Sequence, residues 1–210
     1  MIDPGKLRRI DSQRPWYQKA LSLLPVSTGQ KILELGAGAG ELVQILKSQG
    51  YKITCVENSP IYLRRLRARG FPAVKADLNQ KLPLPSKSFT GVISLEVIEH
   101  LVEVDKFLRE IFRVLKPKGW LIISTPNIAW WGYRLFALLG APPKKEGYHL
   151  RFFTHHSLTR ILQKHGFRIE NTSSFTTVPL INRYLSRRLY PRVKFWPNLL
   201  AQDLVFLCRK

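Results

Sequence analysis

Three glycines at alternating positions, Gly36, Gly38 and Gly40, follow the apolar run Ile32-Leu33-Glu34-Leu35 and precede Glu41-Leu42, the start of a helical pattern. A strand that turns this tightly into a helix lets a ligand approach backbone N–H groups, because glycine has no Cβ, and the helix N-terminus adds partial positive charge. Glu57 stands 21 positions after Gly36, at the end of a second apolar run, Lys52-Ile53-Thr54-Cys55-Val56. An acid there is placed to accept both hydroxyls of a ribose. The spacing is Gly-x-Gly-x-Gly followed by Glu41, not the Gly-x-Gly-x-x-Gly of a dinucleotide fingerprint, so it suits an adenosine without a pyrophosphate. A second reactive group, Glu96, Glu99 and His100, follows the apolar run Val92-Ile93-Ser94-Leu95. On a helical turn, the i, i+3, i+4 spacing puts two carboxylates and an imidazole on one face. Such a group can take a proton from a hydroxyl or hold a divalent ion.

The segment Glu34-Leu35-Gly36-Ala37-Gly38-Ala39-Gly40 resembles the first motif of the class I S-adenosylmethionine-dependent methyltransferases, and three later segments fit that family in order. Asp77-Leu78 resembles the acid and apolar neighbour set against adenine, the stretch 89–101 the fourth strand with its exit loop, and the stretch 108–127 the next helix, turn and fifth strand. The resemblance runs over roughly residues 20–172. It implies an α/β, Rossmann-like three-layer sandwich with a seven-stranded, mainly parallel sheet whose last strand is antiparallel. It implies S-adenosylmethionine as cofactor and S-adenosylhomocysteine as product, with cofactor contacts from Glu34, Gly36, Ala37, Gly38, Gly40, Glu57, Asn58, Asp77, Leu78 and Glu96.

The Glu-x-x-Glu-His run, with His149 later in the chain, is similar to that of the small-RNA 3′-terminal 2′-O-methyltransferases, which grip a ribose diol through a metal. Ubiquinone-pathway O-methyltransferases carry a similar run, and their acceptor is a catechol-like diol on a lipid. This resemblance implies a metal quartet of Glu96, Glu99, His100 and His149. The alternative is the arrangement of small-molecule methyltransferases without a known metal. There Glu96 lines the cofactor pocket, His100 acts as the base and Glu99 is a structural partner. His155 and His156 read as surface residues at a helix start, and His165 as a C-terminal turn residue favoured by the helix dipole.

The elements that must position these groups follow from periodicity. Short apolar runs alternating with helical patterns argue for βαβ units and a mainly parallel sheet. Ser59-Pro60 supplies an N-cap and a first-turn proline to a helix with Leu63 and Leu66 on its apolar face, closed by Gly70. A second helix is expected from Val104 to Lys116, stopped by Pro117 and Gly119. A third starts at Thr154 and ends at Gly166, with strands at Phe167-Arg168-Ile169-Glu170 and at Asp203-Leu204-Val205-Phe206-Leu207-Cys208.

At 210 residues the chain suits one domain, 1–210. Residues 1–28 read as an N-terminal extension over the cofactor, with Trp16 and Tyr17 as lid contacts, and 128–150 and 174–200 as insertions on the substrate side. Cys55 and Cys208 lie far apart in predicted strands, which fits buried thiols in a reducing cytosol. The first residues lack the apolar core of a signal peptide. A cytoplasmic enzyme, peripheral at a membrane, is the expected location.

The chain carries 34 Lys+Arg against 14 Asp+Glu, a formal net charge of +20. Such a field attracts nucleic acid, anionic headgroups or phosphorylated substrates without choosing among them. The apolar, aromatic stretch 128–140 is too short to span a bilayer. The stretch 181–189 reads as a basic amphipathic helix, the type that lies on membrane surfaces, with arginines opposite Ile181, Tyr184, Leu185 and Leu189. Packing of the two insertions on each other as a substrate cover is the alternative.

These observations support methyl transfer to a small or lipid-linked acceptor at oxygen. An RNA ribose 2′-O-methyltransferase is the alternative, and a non-catalytic cofactor-binding or membrane-docking protein a third reading. The glycine spacing argues against a nicotinamide-dependent reductase. No Asn/Asp-Pro-Pro-Tyr/Phe motif follows the fourth strand, where Leu95-Glu96-Val97-Ile98 stands, so base N-methylation is not expected.

Overall fold

The computed structural model describes residues 14–25, 29–141, 149–176 and 191–210. The expected helix over 181–189, and most of the extension before residue 14, lie outside them. In chain order the elements are α1 (Pro15–Leu21), β1 (Lys31–Leu35), α2 (Glu41–Ser48), β2 (Lys52–Glu57), α3 (Pro60–Ala68), β3 (Ala73–Lys75) and β4 (Phe89–Leu95). A 3-10 turn (Ile98–His100) follows, then α4 (Val104–Val114), β5 (Leu115–Pro126), α5 (Trp131–Leu138), α6 (His155–Lys164), β6 (Arg168–Thr172), α7 (Pro197–Leu200) and β7 (Asp203–Arg209).

One seven-stranded sheet runs β3-β2-β1-β4-β5-β7-β6. The first five strands are mutually parallel, and β7 inserts antiparallel to both β5 and β6. The expected α/β three-layer sandwich with an antiparallel last strand is therefore what the chain forms. Pleating sends alternate residues of each strand to opposite faces, and each face has its own core. Leu33, Val92, Leu121, Ile123 and Phe206 pack with α4 and α6, whereas Ile32, Ile93, Ile122 and Val205 pack with α1 and α2. Strands covered on both sides read as continuous apolar runs.

Several local expectations need correction. Helix α4 ends at Val114, and Leu115 is already extended and paired with Phe89 on β4. The residue before Pro117 is steered out of the α region, so the helix cannot run on to Lys116. The ladder instead jumps from Phe89↔Leu115 to Gly91↔Trp120, and Lys116–Gly119 bulges out. Ser59 occupies the N-cap of α3, but its hydroxyl makes no cap bond; its N–H donates to Glu57 Oε1 at 2.8 Å. The true side-chain cap is Thr154, which forms a reciprocal capping box with Ser157 at the start of α6. His155 starts α6 as expected but is half-buried rather than exposed, its ring 4.9 Å from that of Phe206. Burial, and the neighbouring His156, lower its pKa. His165 does cap the end of α6, and its Nε2 meets Asp105 on α4 at 2.8 Å.

Both cysteines are free and buried. Desolvation pushes both thiols up to about 12, Cys55 with a further contribution from Glu34 and Glu57 and Cys208 with one from Glu170. Neither is a nucleophile at neutral pH.

Candidate functional site

Every residue singled out for chemistry, except His149, stands on or just beyond the C-terminal part of one of the neighbouring parallel strands β1 to β4, the edge where open α/β sheets bind ligands. At the end of β1, Gly36, Gly38 and Gly40 all have left-handed φ, of 75°, 52° and 78°. Two of the three are also required by close packing. A Cβ on Gly36 would stand 2.6 Å from Val97, and one on Gly40 would stand 2.6 Å from Leu66. A Cβ on Gly38 would meet nothing within 4 Å, so the middle of the loop opens outward. Ala37 between them is buried.

Glu57 closes the loop from β2. Its Oε2 accepts the N–H of Gly38 and its Oε1 that of Ser59, both at 2.8 Å. A carboxylate fixed by two backbone donors keeps lone pairs for a diol. Asn58 is exposed beside it. Beyond β3, Asp77 Oδ1 accepts from the backbone and side-chain amides of Asn79, at 2.9 and 3.1 Å, and Leu78 packs against the core. Asn79 Oδ1 in turn accepts the N–H groups of Val102 and Glu103. The turn after β3 is thereby tied to the exit from β4.

Glu34 lies one strand position before the loop and is 4 % exposed, with Oε2 buried and without a hydrogen-bond partner among the described residues. Burial, reinforced by the charge of Glu57, pushes its pKa up to about 8. Tyr17 on α1 is also buried, and Arg14 joins its hydroxyl at 2.7 Å to Glu41, the first residue of α2, at 3.2 Å. Trp16 stacks edge-on against Tyr17 and is only partly buried. The two expected lid residues thus seat α1 against the second core.

At the exit from β4 the expected single face does not form. Glu96 has a left-handed φ of 56°, and only Ile98–His100 make a helical turn. The side chain of Glu96 is directed to β5, where its Oε1 accepts from Ser124 Oγ at 2.7 Å and its N–H donates to the same oxygen at 3.1 Å. A non-glycine residue held in this conformation is locally strained, a feature of sites whose surroundings over-determine the backbone.

Glu99, His100 and His149 do converge. Their ligating atoms lie within 4.8 Å of one another. Glu99 is 1 % exposed, accepts from Thr125 Oγ1 at 3.1 Å through Oε2, and stands 3.9 Å from His100 Nε2 through Oε1. The rings of His100 and His149 meet edge to face at 4.9 Å. His149 is brought in by backbone, because the Glu99 carbonyl accepts the N–H groups of both Leu150 and Arg151. The implied quartet is thus a trio, with Glu96 turned to Ser124 instead. Two donors on one ion at about 2.0–2.2 Å lie within about 4.4 Å of each other, so one carboxylate and two imidazoles whose ligating atoms lie within 4.8 Å are spaced near the limit for sharing one divalent cation.

Ser124 and Thr125, the partners of the two acids, were not singled out by sequence reasoning, nor were Tyr133 and Arg151, which line a small pocket with Glu99 and His149. A signal for the first two was present. The run Leu121-Ile122-Ile123 turns polar at Ser124-Thr125 while still in β5, and both hydroxyls are fully buried.

Comparison with known proteins gives the following. A family profile described as "Methyltransferase domain" matches residues 9–172. A Mycolicibacterium smegmatis protein described as a probable S-adenosylmethionine-dependent methyltransferase is 31% identical over 146 residues, 69% of this chain and 54% of that protein. The chain thus spans about half the length of that curated relative. A ubiquinone biosynthesis O-methyltransferase of a Bradyrhizobium species is 27% identical over 195 residues, 87% of this chain and 76% of the relative. An S-adenosylmethionine-dependent methyltransferase structure from Thermotoga maritima superposes with a TM-score of 0.71 at 23% identity, covering 98% of this chain and 95% of that one.

Proposed function

We propose that this chain, which belongs to the methyltransferase-domain family, transfers a methyl group from S-adenosylmethionine to an oxygen of a small or lipid-linked acceptor. The observation that carries the reading is the pairing of two sites on one sheet edge. Glu57 closes the glycine loop at β1 and β2, and the Glu99–His100–His149 group opens at the exit of β4. Relatives named for ubiquinone biosynthesis O-methylation and for demethylmenaquinone methylation support an acceptor of quinone-related chemistry.

When bound, the cofactor supplies a methyl group made electrophilic by a cationic sulfur. The protein's part is alignment and proton removal. Glu57 accepts the ribose hydroxyls while its hold on Gly38 keeps the loop in shape. Glu34, Ala37, Asn58, Asp77, Leu78 and Glu96 line the remaining cradle. His100 takes the acceptor's hydroxyl proton on a ring nitrogen, and Glu99 stabilises the imidazolium. In the alternative arrangement a divalent cation held by Glu99, His100 and His149 would replace that base, lowering the pKa of a bound hydroxyl and orienting a diol. An RNA ribose as the acceptor is the second reading, favoured by the net charge of +20 beside that same trio.

Calorimetry tests the premise. S-adenosylmethionine binds and NADH does not, and Glu57→Ala weakens cofactor affinity at least about tenfold, since two charge-assisted hydrogen bonds are lost, while the circular dichroism spectrum is unchanged. Equal binding by Glu57→Ala would overturn the assignment.

A further inference from the structure

Helix α5 carries its apolar side chains on the wrong side for a water-facing element. Trp130, buried, lies over Gly132, where a Cβ would stand 2.2 Å from its ring, and packs edge-on against buried Tyr133 at 5.1 Å. Its Nε1 donates to Thr176 Oγ1 at 3.1 Å. These contacts anchor one side of α5 and leave Trp131, Leu135, Phe136, Leu138 and Leu139 outside, the last two 84 % and 72 % exposed. The segment beside it repeats the pattern. Phe195 and Trp196 are 78 % and 73 % exposed, and Phe195, Lys194 and Leu200 line one groove with Trp131.

The charges that these two described segments carry have one sign. Residues 128–141 and 191–202 contain no Asp or Glu, whereas Arg134, Arg192 and Lys194 lie within them. We infer that this aromatic and basic face docks the protein on the surface of an anionic lipid bilayer. Protruding leucines, tryptophans at their margin and flanking bases are the composition that inserts to the level of the headgroups and acyl chains. Two other occupants fit worse. A second copy would bring together two molecules of charge +20, which repel. RNA would use the bases and the aromatic rings, yet the most exposed side chain on α5, Leu138, offers a nucleobase nothing.

The placement has a consequence for catalysis that rests on the methyltransferase reading; the docking itself does not. The inner side of α5 presents Tyr133 to the pocket of Glu99 and His149, with exposed Phe152 at its rim. An acceptor whose tail stays in the bilayer would reach that pocket along the helix.

The test is co-sedimentation of the full chain, without cofactor, on vesicles of phosphatidylcholine alone or with one third phosphatidylglycerol. The wild type sediments with the anionic vesicles and stays in solution with the neutral ones. Leu138→Ser/Leu139→Ser, and separately Phe195→Ser, lower the bound fraction at least about tenfold at unchanged thermal stability. Calorimetry with S-adenosylmethionine on the same proteins reports the cofactor site independently, so loss of docking and loss of the cofactor reading are distinguished. Wild type remaining in solution, or variants binding vesicles equally, would overturn the proposal. So would a dimer dissolved by the leucine variant, or RNA binding that the leucine variant abolishes.

Discussion

Glu34 is the residue whose burial has the largest measurable consequence. It sits against the second core with Oε2 lacking a hydrogen-bond partner among the described residues, and desolvation together with Glu57 raises its pKa to about 8. An acid whose folded pKa exceeds its ordinary value of 4.5 is held protonated by the fold. The native state then binds more protons than the unfolded chain between those two values, so this contribution to stability is complete below about pH 4.5 and is lost as pH rises towards 8. The cofactor-free protein is expected to show a falling melting temperature across that window, and Glu34→Gln to flatten the fall. Scanning calorimetry from pH 5 to pH 8.5 measures the two slopes directly. Parallel slopes for the two proteins would show that Glu34 ionises as a solvated acid does.

At the level of elements, β4 and β5 are locked by a residue that looks unremarkable in the sequence. Gly91 pairs with Ile32 on one side and Trp120 on the other, and a Cβ there would stand 2.2 Å from the indole of Trp120. That ring is fully buried and its Nε1 donates to Gln30 at 3.0 Å, so it has nowhere to turn. Gly91→Ala should therefore destabilise by about 2 kcal/mol through overpacking, a fall of roughly 4–8 °C in melting temperature for a chain of this size, measured by differential scanning fluorimetry. The alternation that predicts β4 says nothing of this contact, because it is made between strands. The same division separates what was legible from what was not. The glycine loop, Glu57 and the apolar runs were legible because each is a local pattern read along a single stretch of chain. The turn of Glu96 towards Ser124 was not, because its left-handed backbone is set by a hydroxyl on another strand. The approach of His149 to Glu99 depends on backbone hydrogen bonds from Leu150 and Arg151 to the distant Glu99 carbonyl. Nor does the sequence show that the Ser59 hydroxyl makes no cap bond.

Over the whole molecule, a strongly basic chain keeps four of its 14 acids where the cofactor cradle is proposed. Glu34, Glu57, Asp77 and Glu96 gather at the C-terminal parts of four neighbouring strands of a protein with net charge +20. A cationic sulfonium ligand would find local negative charge there from Glu57, Asp77 and Glu96, Glu34 being held protonated, whereas an anionic dinucleotide would meet repulsion at short range. Because those are four of the seven strands of a sheet with a core on each face, a ligand bound across their ends is coupled to unfolding of the whole domain. A ligand at one hundred times its dissociation constant adds about 2.7 kcal/mol, which for a chain of this size raises the melting temperature by roughly 5–10 °C. S-adenosylmethionine and S-adenosylhomocysteine are both expected to give that rise in a thermal shift assay, NADH none, and Glu57→Ala a much smaller one at the same concentrations. The product is the more telling ligand, because it lacks the sulfonium charge: an equal shift from both would assign the binding energy to the adenosine and its diol, and a larger shift from the cofactor to the acids around the sulfur.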